Sequence, residues 1–201
     1  GDDGSNYHVG ADIRVKVVSG VGNDDMPADL IFSTNSGSTG TAERLRITSD
    51  GLVAIGHDSP SSWSSGANNL VVRDAAGAGG ITIVTPTNAE GAIFFADGTG
   101  ASGQGRIRYN HSDDSMHFST NASERLRITS AGKIGIGVAA ATEYIQIHES
   151  QNNTRAQITF TNNTTGATVN DGLNVGIDGS QDAIIHHHEN KKIRIGTNDI
   201  E

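Results

Sequence analysis

Three consecutive histidines form the cluster in this sequence whose side chains best suit metal binding. Residues 186–188 are all histidine and follow the apolar run Ala-Ile-Ile. Alternate side chains of a strand point to the same face, so the imidazoles of His186 and His188 should project together. Imidazole nitrogen is a good transition-metal ligand, but one chain offers only two such nitrogens. The run therefore predicts either a metal site shared between chains or an ordinary exposed or packed histidine cluster.

Two pairs of adjacent carboxylates, Asp24–Asp25 and Asp113–Asp114, are the only candidates for acid–base chemistry that stand out. Both pairs fall in predicted turns, where aspartate is common because it hydrogen-bonds the local backbone. The sequence shows no nucleophile elbow, zinc triad or Ser/His/Asp context. We therefore predict no enzymatic activity and name no catalytic residue. A glycosidase site formed across chains, with two carboxylates about 5–10 Å apart in a groove, stays open as an alternative.

Two further stretches are candidates for ligand binding. Residues 97–105 are rich in glycine, but no Lys-Ser/Thr follows and no helix is predicted there, so we expect no nucleotide cofactor. Trp63 is the only tryptophan and lies in the turn-rich stretch 57–69. It is interpreted either as a local cap over a small core or as an exposed residue that stacks on carbohydrate.

The elements that carry these residues belong to a repeated phrase. Residues 118–137 read F-S-T-N-A-S-E-R-L-R-I-T-S-A-G-K-I-G-I-G, and residues 32–56 repeat the phrase with five residues inserted. Residues 195–201 begin it again and stop, so we expect the natural chain to extend past Glu201. A long repeat of this kind indicates an array of modules. We place three modules, at 1–56 (partial, ending in the E-R-L-R-I-T hairpin), at 57–137, and at 138–201 (truncated within the repeat).

Alternation of charged and apolar residues inside the phrase predicts a strand, a tight turn and a second strand. Arginine alternates with leucine and isoleucine over 43–47 and 124–128, and Gly51 and Gly132 supply the turns. The second strands contain Ala54 or Gly135, whose small size lets another backbone approach closely. We expect four apolar side chains to be buried, those of Leu45, Ile47, Leu126 and Ile128. We expect the guanidinium groups of Arg46 and Arg127 to be more exposed. With Glu43 and Glu124, the arginines should form ladders of exposed or interchain ion pairs.

Composition favours an all-β fold with a shared core. The chain has 20 Ile and 12 Val but 6 Leu, and no segment shows helical spacing of apolar residues. Leu, Ile, Val and Phe make up 43 of 201 residues, just above the level of about 20% below which disorder is common. One chain would therefore bury little apolar surface, which predicts an oligomer.

Charge and hydropathy exclude several partners. The net charge of −9 argues against nucleic acid and anionic membranes. No apolar run reaches 18 residues, so we expect no membrane insertion. The absence of cysteine excludes disulfides and thiolate metal sites.

The wording of several stretches resembles the modules of tailed-bacteriophage tail fibre proteins. The resemblance covers about half of the chain, over residues 23–56, 91–137 and 183–201. It is carried by D-M-P-A-D-L-I-F-S-T-N with A-E-R-L-R-I, by R-I-R-Y-N-H-S-D-D-S-M-H-F leading into the phrase, and by E-N-K-K-I-R-I-G-T-N. The resemblance implies an elongated repeat fibre built as a parallel, intertwined homotrimer, similar to a β-prism or a triple β-helix with small β modules.

The same resemblance implies a function and a set of partners. The chain would be a structural segment of a virion tail fibre that spaces or carries the host-receptor-binding tip. It would contact other tail or baseplate proteins and a polysaccharide or protein receptor on the host surface. Trimeric phage fibres use His-x-His at the trimer axis, so His186 and His188 of three chains would offer six imidazoles to one transition metal. A bacterial extracellular repeat adhesin and a polysaccharide-degrading tailspike are the alternatives.

Overall fold

The computed structural model describes residues 9–18, 20–37, 40–74, 77–98 and 104–195. Within these ranges the chain is all-β, with 41% of the residues in strands and one short 3-10 turn at Pro60–Ser62. This confirms the all-β class predicted from the composition. The predicted third start of the phrase, after Ile195, lies outside the described residues.

The chain divides by its internal contacts into two units, residues 1–82 and 83–201. The first unit holds sheet 1, whose five strands pair in sequence order. Its neighbours are antiparallel except for β4 and β5, which are parallel. The strands are β1 (Ala11–Val17), β2 (Ala28–Asn35), β3 (Thr41–Ile47), β4 (Val53–Ile55) and β5 (Leu70–Val72).

The second unit holds sheets 2 and 3. In sheet 2, β7 to β11 repeat the order and directions of β1 to β5, and β6 adds an antiparallel strand beside β7. Sheet 3 has three antiparallel strands. The strands are β6 (Glu90–Phe95), β7 (Gly105–Asn110), β8 (Ser115–Thr120), β9 (Ser123–Ile128), β10 (Ile134–Ile136), β11 (Ile145–Ile147), β12 (Ala156–Phe160), β13 (Leu173–Ile177) and β14 (Ala183–His187).

The predicted strand, turn and strand occur in both copies of the phrase. Strands β3 and β4 pair so that Leu45 faces Ile55, and β9 and β10 pair in the equivalent register. Gly51 closes the first turn with φ 79°, a conformation that glycine adopts without strain. A Cβ added at Gly135 would collide with the carbonyl oxygen of Val138, so a neighbouring backbone does approach there.

The sheets differ from the expected layout at three places. Strand β5 pairs with β4 although it lies beyond the boundary drawn at residue 56. Strand β11 likewise pairs with β10 beyond the boundary at residue 137. The apolar stretch I-T-I-V at residues 81–84 favours a strand by its composition, but these residues are not part of one. The boundaries drawn from the repeated wording therefore differ from the edges of the sheets.

In each copy of the phrase, a β-bulge determines which side chains lie on the same face of the sheet. Ser33 pairs with Glu43 and Phe32 pairs with Leu45, which leaves Arg44 as the extra residue of β3. The extra residue resets the alternation, so that Glu43 and Arg46 lie on the same face although they are three residues apart. Strand β9 has the same bulge at Arg125.

The side chains of each sheet sort into an apolar face and a polar face, as the pairing registers show. In sheet 1 the polar face holds Asp29, Glu43 and Arg46, together with Ile31 and Ala54. The apolar face of sheet 1 is formed by Ile13, Val15, Val17, Leu30, Phe32, Leu45, Ile47, Val53, Ile55, Leu70 and Val72. In sheet 2 it is formed by Ile93, Phe95, Ile107, Tyr109, Met116, Phe118, Leu126, Ile128, Ile134, Ile136, Ile145 and Ile147. In sheet 3 it is formed by Ile158, Phe160, Leu173, Val175, Ile177 and Ile185.

The predicted burial of the phrase is wrong for a single chain. Arg46 is buried with 8% of its surface exposed, whereas Ile47 is 38% exposed and Ile128 is 37% exposed. The alternation was correct, but the assignment of inside and outside was not. Carboxylates enclose the guanidinium on the polar face, and no described residue covers the apolar face.

Candidate functional site

The uncovered apolar faces of the three sheets are a candidate interaction surface. Ile13 is 69% exposed at the edge of sheet 1, Phe95 is 57% exposed in sheet 2, and Ile185 is 64% exposed in sheet 3. Across the described residues only Ile31, Ala54 and Ala141 are buried hydrophobic residues. Contiguous exposed apolar patches on soluble proteins mark interaction sites. Each sheet therefore carries a candidate interface on one side.

A buried ion cluster fixes the polar face of sheet 1. The Nε and Nη2 atoms of Arg46 donate to the two carboxylate oxygens of Glu43, each at 2.7 Å. Its Nη1 donates to Asp29 Oδ2 at 2.5 Å, and Asp29 Oδ1 accepts from the backbone N–H of Ser49 at 3.0 Å. The hydrogen bonds with Glu43 raise the pKa of Arg46 above its ordinary value. Arg46 and Glu43 therefore pair, but the pair is largely buried and lies within one chain, not exposed or between chains as predicted.

Sheet 2 carries a related cluster. Arg127 donates to both oxygens of Glu124, from Nε at 2.8 Å and from Nη2 at 2.9 Å. These hydrogen bonds, together with one from His117, lower the pKa of Glu124 to about 2. Asp113 lies 3.4 Å from Arg127, and a hydrogen bond from Ser115 lowers the pKa of Asp113. Asp113 thus pairs with Arg127 in sheet 2 as Asp29 pairs with Arg46 in sheet 1. The strand position in sheet 2 that is equivalent to Asp29 is occupied by Ser115.

The sequence did not reveal that Ser115, His117 and Glu124 lie together. His117 Nε2 is 2.5 Å from Ser115 Oγ, and His117 Nδ1 is 2.6 Å from Glu124 Oε2. These contacts resemble those of a catalytic triad. However, Ser115 is 2% exposed and His117 1% exposed, and the Ser115 hydroxyl also lies 2.5 Å from Asp113 Oδ1. A serine enclosed in this way offers no path to a substrate, so the arrangement favours a structural role.

Acid should weaken the cluster of sheet 2. The folded pKa of Glu124 is about 2, below its ordinary value of 4.5. Its contribution to stability is therefore fully present above pH 4.5 and is lost as the pH falls through about 2. We expect Glu124→Gln to lower the melting temperature at pH 7, and the difference from the unmodified protein to shrink as the pH approaches 2.

Melting curves recorded between pH 7 and pH 2 test this expectation. The exposed Glu143 provides the control, since Glu143→Gln removes the same charge away from the cluster. A difference between Glu124→Gln and the unmodified protein that stays constant over this range would contradict the assignment.

The structure brings together the two histidines singled out for metal binding. The ring centroids of His186 and His188 lie 4.2 Å apart. Asn174 is 1% exposed, and its Nδ2 donates to His188 Nε2 at 2.8 Å. His187 points to the other face and lies 3.0 Å from Glu189. In the described part of one chain no three His, Cys, Asp or Glu side chains are placed to hold a metal ion, so an axial site shared by three chains stays a prediction.

The predicted metal site can be tested by measuring the metal content and the melting temperature of the protein. If His186 and His188 of three chains bind one ion, elemental analysis of protein purified without chelator should give about one transition metal per three chains. His188→Ala should then lower the melting temperature in metal-replete buffer and make it indifferent to chelator, because ligands stabilise the state that they bind. Absence of metal, together with unchanged melting on adding iron, nickel or zinc, would leave an ordinary histidine cluster.

The remaining sequence candidates do not converge. Asp24 and Asp25 are exposed in a turn of the first unit, and Asp114 of the second unit accepts a hydrogen bond from Tyr109 at 2.9 Å. Trp63 is 50% exposed and stands edge-on to His57, with ring centroids 5.7 Å apart. The centre of the glycine-rich loop, residues 99–103, lies outside the described residues.

Comparison with known proteins gives no family assignment. No model of a protein family matches the chain, and no curated protein matches it. A search for membrane spans in the described residues finds no helix with the length and apolar character to cross a bilayer.

Proposed function

We propose that the chain is a structural segment of a phage tail fibre, assembled as a homotrimer, that spaces or carries the host-receptor-binding tip. The observation that supports the proposal best is the uncovered apolar face on each of the three sheets. An apolar face of this size is unstable in water until another surface covers it.

A second copy of the same chain is the occupant that fits the faces. Sheets 1 and 2 present matching apolar faces in the same strand order, and the three-stranded sheet 3 also has an apolar face. Each additional copy of the chain therefore supplies apolar faces of equal area that can cover those of the first copy. The polar clusters on the opposite faces are already paired within one chain, since Arg46 and Arg127 each hold their own glutamate. On sheets 1 and 2 the apolar faces thus point inward in the trimer and the polar faces point outward, whereas an axial metal would require the face of sheet 3 that carries His186 and His188 to point inward.

The location in a virion and the structural role rest on the resemblance of the repeated phrases to tail fibre modules. Antibodies raised against the segment should label tail appendages in electron micrographs of the phage that encodes it. Label on a bacterial surface in cells free of phage would favour the adhesin instead. Release of reducing sugar from host capsule by the purified segment would favour the tailspike.

A further inference from the structure

Both ring nitrogens of His117 make short polar contacts inside the polar face of sheet 2. The side chain is 1% exposed and lies on β8, between β7 and β9. Its Nε2 lies 2.5 Å from Ser115 Oγ, and its Nδ1 lies 2.6 Å from Glu124 Oε2. These are hydrogen-bond distances, so a hydrogen must lie within each contact. The donors of these two hydrogens determine the charge of the imidazole.

The hydrogen between His117 and Glu124 belongs to the imidazole. Hydrogen bonds from Arg127 above all lower the pKa of Glu124 to about 2, so its carboxylate is ionised at neutral pH and can only accept. Arg108 Nη2 also lies near Nδ1, at 3.0 Å. The contact with the ionised carboxylate is shorter and charge-assisted, so the Nδ1–H points to Glu124.

The hydrogen between His117 and Ser115 also belongs to the imidazole. Ser115 Oγ lies 2.5 Å from Asp113 Oδ1 as well as from His117 Nε2, but a hydroxyl has one hydrogen to donate. The hydrogen bond from Ser115 lowers the pKa of Asp113, whose carboxylate therefore accepts that hydrogen. Ser115 then offers only lone pairs to His117, and Nε2 must be the donor.

We infer that His117 is a buried imidazolium at neutral pH, and that its second proton acts as a pH-sensitive lock on the polar face of sheet 2. The charges around it are balanced in this state. Three cations then face three carboxylates: His117, Arg108 and Arg127 against Glu90, Glu124 and Asp113. All of these groups belong to one chain, so the inference does not depend on the proposed trimer.

Loss of the second proton breaks the network. Ser115 would have to turn its hydrogen towards Nε2, which would leave its oxygen 2.5 Å from Asp113 with no hydrogen between them. In an unfolded chain imidazole releases this proton near pH 6.5. The folded chain holds it to higher pH, so the stabilisation is fully present below about pH 6.5 and is lost as the pH rises through the point of release. Sheet 1 lacks this dependence, because Ile31 occupies the equivalent position.

Nitrogen-15 NMR of the histidine rings in the full chain tests the protonation directly. At pH 7 both ring nitrogens of His117 should carry protons and show the shifts of an imidazolium. Because the ring is buried, its N–H protons exchange slowly with water, and their signals should be absent from the variant His117→Ile. One protonated and one bare ring nitrogen at pH 7 would overturn the inference.

Melting curves test the consequence for stability. The variant His117→Ile introduces the side chain that sheet 1 already accepts in this register. The melting temperature of the unmodified chain, measured against this variant, should fall by about 5 °C between pH 6 and pH 9. The variant His148→Gln removes an exposed histidine outside the cluster and should follow the unmodified chain. A difference between the unmodified chain and His117→Ile that does not change with pH would overturn the inference. If His117→Ile does not fold, the NMR spectrum of the unmodified chain alone gives the answer.

Discussion

Phe118→Asp should abolish assembly of the chain. Phe118 lies in the middle of the apolar face of sheet 2, where it pairs with Ile107 and Leu126, and it is 36% exposed in a single chain. Covering the exposed part of one phenylalanine is worth about 2 kcal/mol per chain, and a trimer contains three of them. A carboxylate at this position would be buried without a partner, which costs more than the lost contact. We expect the variant to elute as monomer or as unfolded chain in size-exclusion chromatography.

Two neighbouring residues of β6 provide a matched pair for this test. Phe95 lies on the apolar face and pairs with Gly105, whereas Phe94 lies on the opposite face and pairs with Arg106. Their exposed fractions are similar, 57% and 54%. Phe95→Asp should weaken assembly, and Phe94→Asp should not. Equal effects of the two substitutions would contradict the assignment of the faces.

Arg46→Ala should cost about 3–5 kcal/mol of unfolding free energy, because it leaves buried carboxylates without their cation. Asp29 is 5% exposed, and both it and Glu43 lose their charged hydrogen bonds in this variant. Urea denaturation followed by circular dichroism measures the loss as a lower midpoint.

Arg44 is the control for this substitution, since it occupies the bulge two residues earlier and is exposed. Its Nε donates only to the hydroxyl of Thr34 among the described contacts, at 2.9 Å. Exposed polar contacts contribute little, so Arg44→Ala should change the free energy by less than about 1 kcal/mol. A loss at Arg44 as large as that at Arg46 would show that the cluster is not the source of the stability.

The sequence was sufficient for the strands because period-two alternation and glycine turns are local signals. Leu45 and Ile47 do share a face, and the β3–β4 and β9–β10 hairpins form as predicted. Which face is enclosed is not a local property. It depends on the carboxylates that reach Arg46 from β2 and β3 and, in the proposed trimer, on the other chains that would cover Ile47.

The bulge explains why the ion clusters around Arg46 and Arg127 could not be predicted from the sequence. A regular strand would separate Glu43 from Arg46, because residues three apart point to opposite faces. The extra residue Arg44 brings them together on one face. The alternation of Arg with Leu and Ile in the sequence does not predict this bulge. The contact of His117 with Ser115 follows from their spacing of two residues, which was a usable signal. The contact of His117 with Glu124 depends on the second bulge.

The two copies of the phrase also show how one framework carries different polar chemistry. The centre of the polar face is Ile31 in sheet 1 and His117 in sheet 2, and both are 1% exposed. Ile31 faces Arg46 across the strands, and His117 faces Arg127 in the same way. The shared register is thus compatible with an apolar or a polar centre, provided that the polar one is hydrogen-bonded.

Light scattering of the purified chain is the most direct test of the central claim, that the apolar faces are covered by copies of the same chain. The measurement should be made in solution at micromolar concentration, coupled to size-exclusion chromatography. The account predicts a single species with about three times the 20.9 kDa mass of the chain. A folded species with the mass of one chain, unfolding cooperatively at the same concentration, would contradict it.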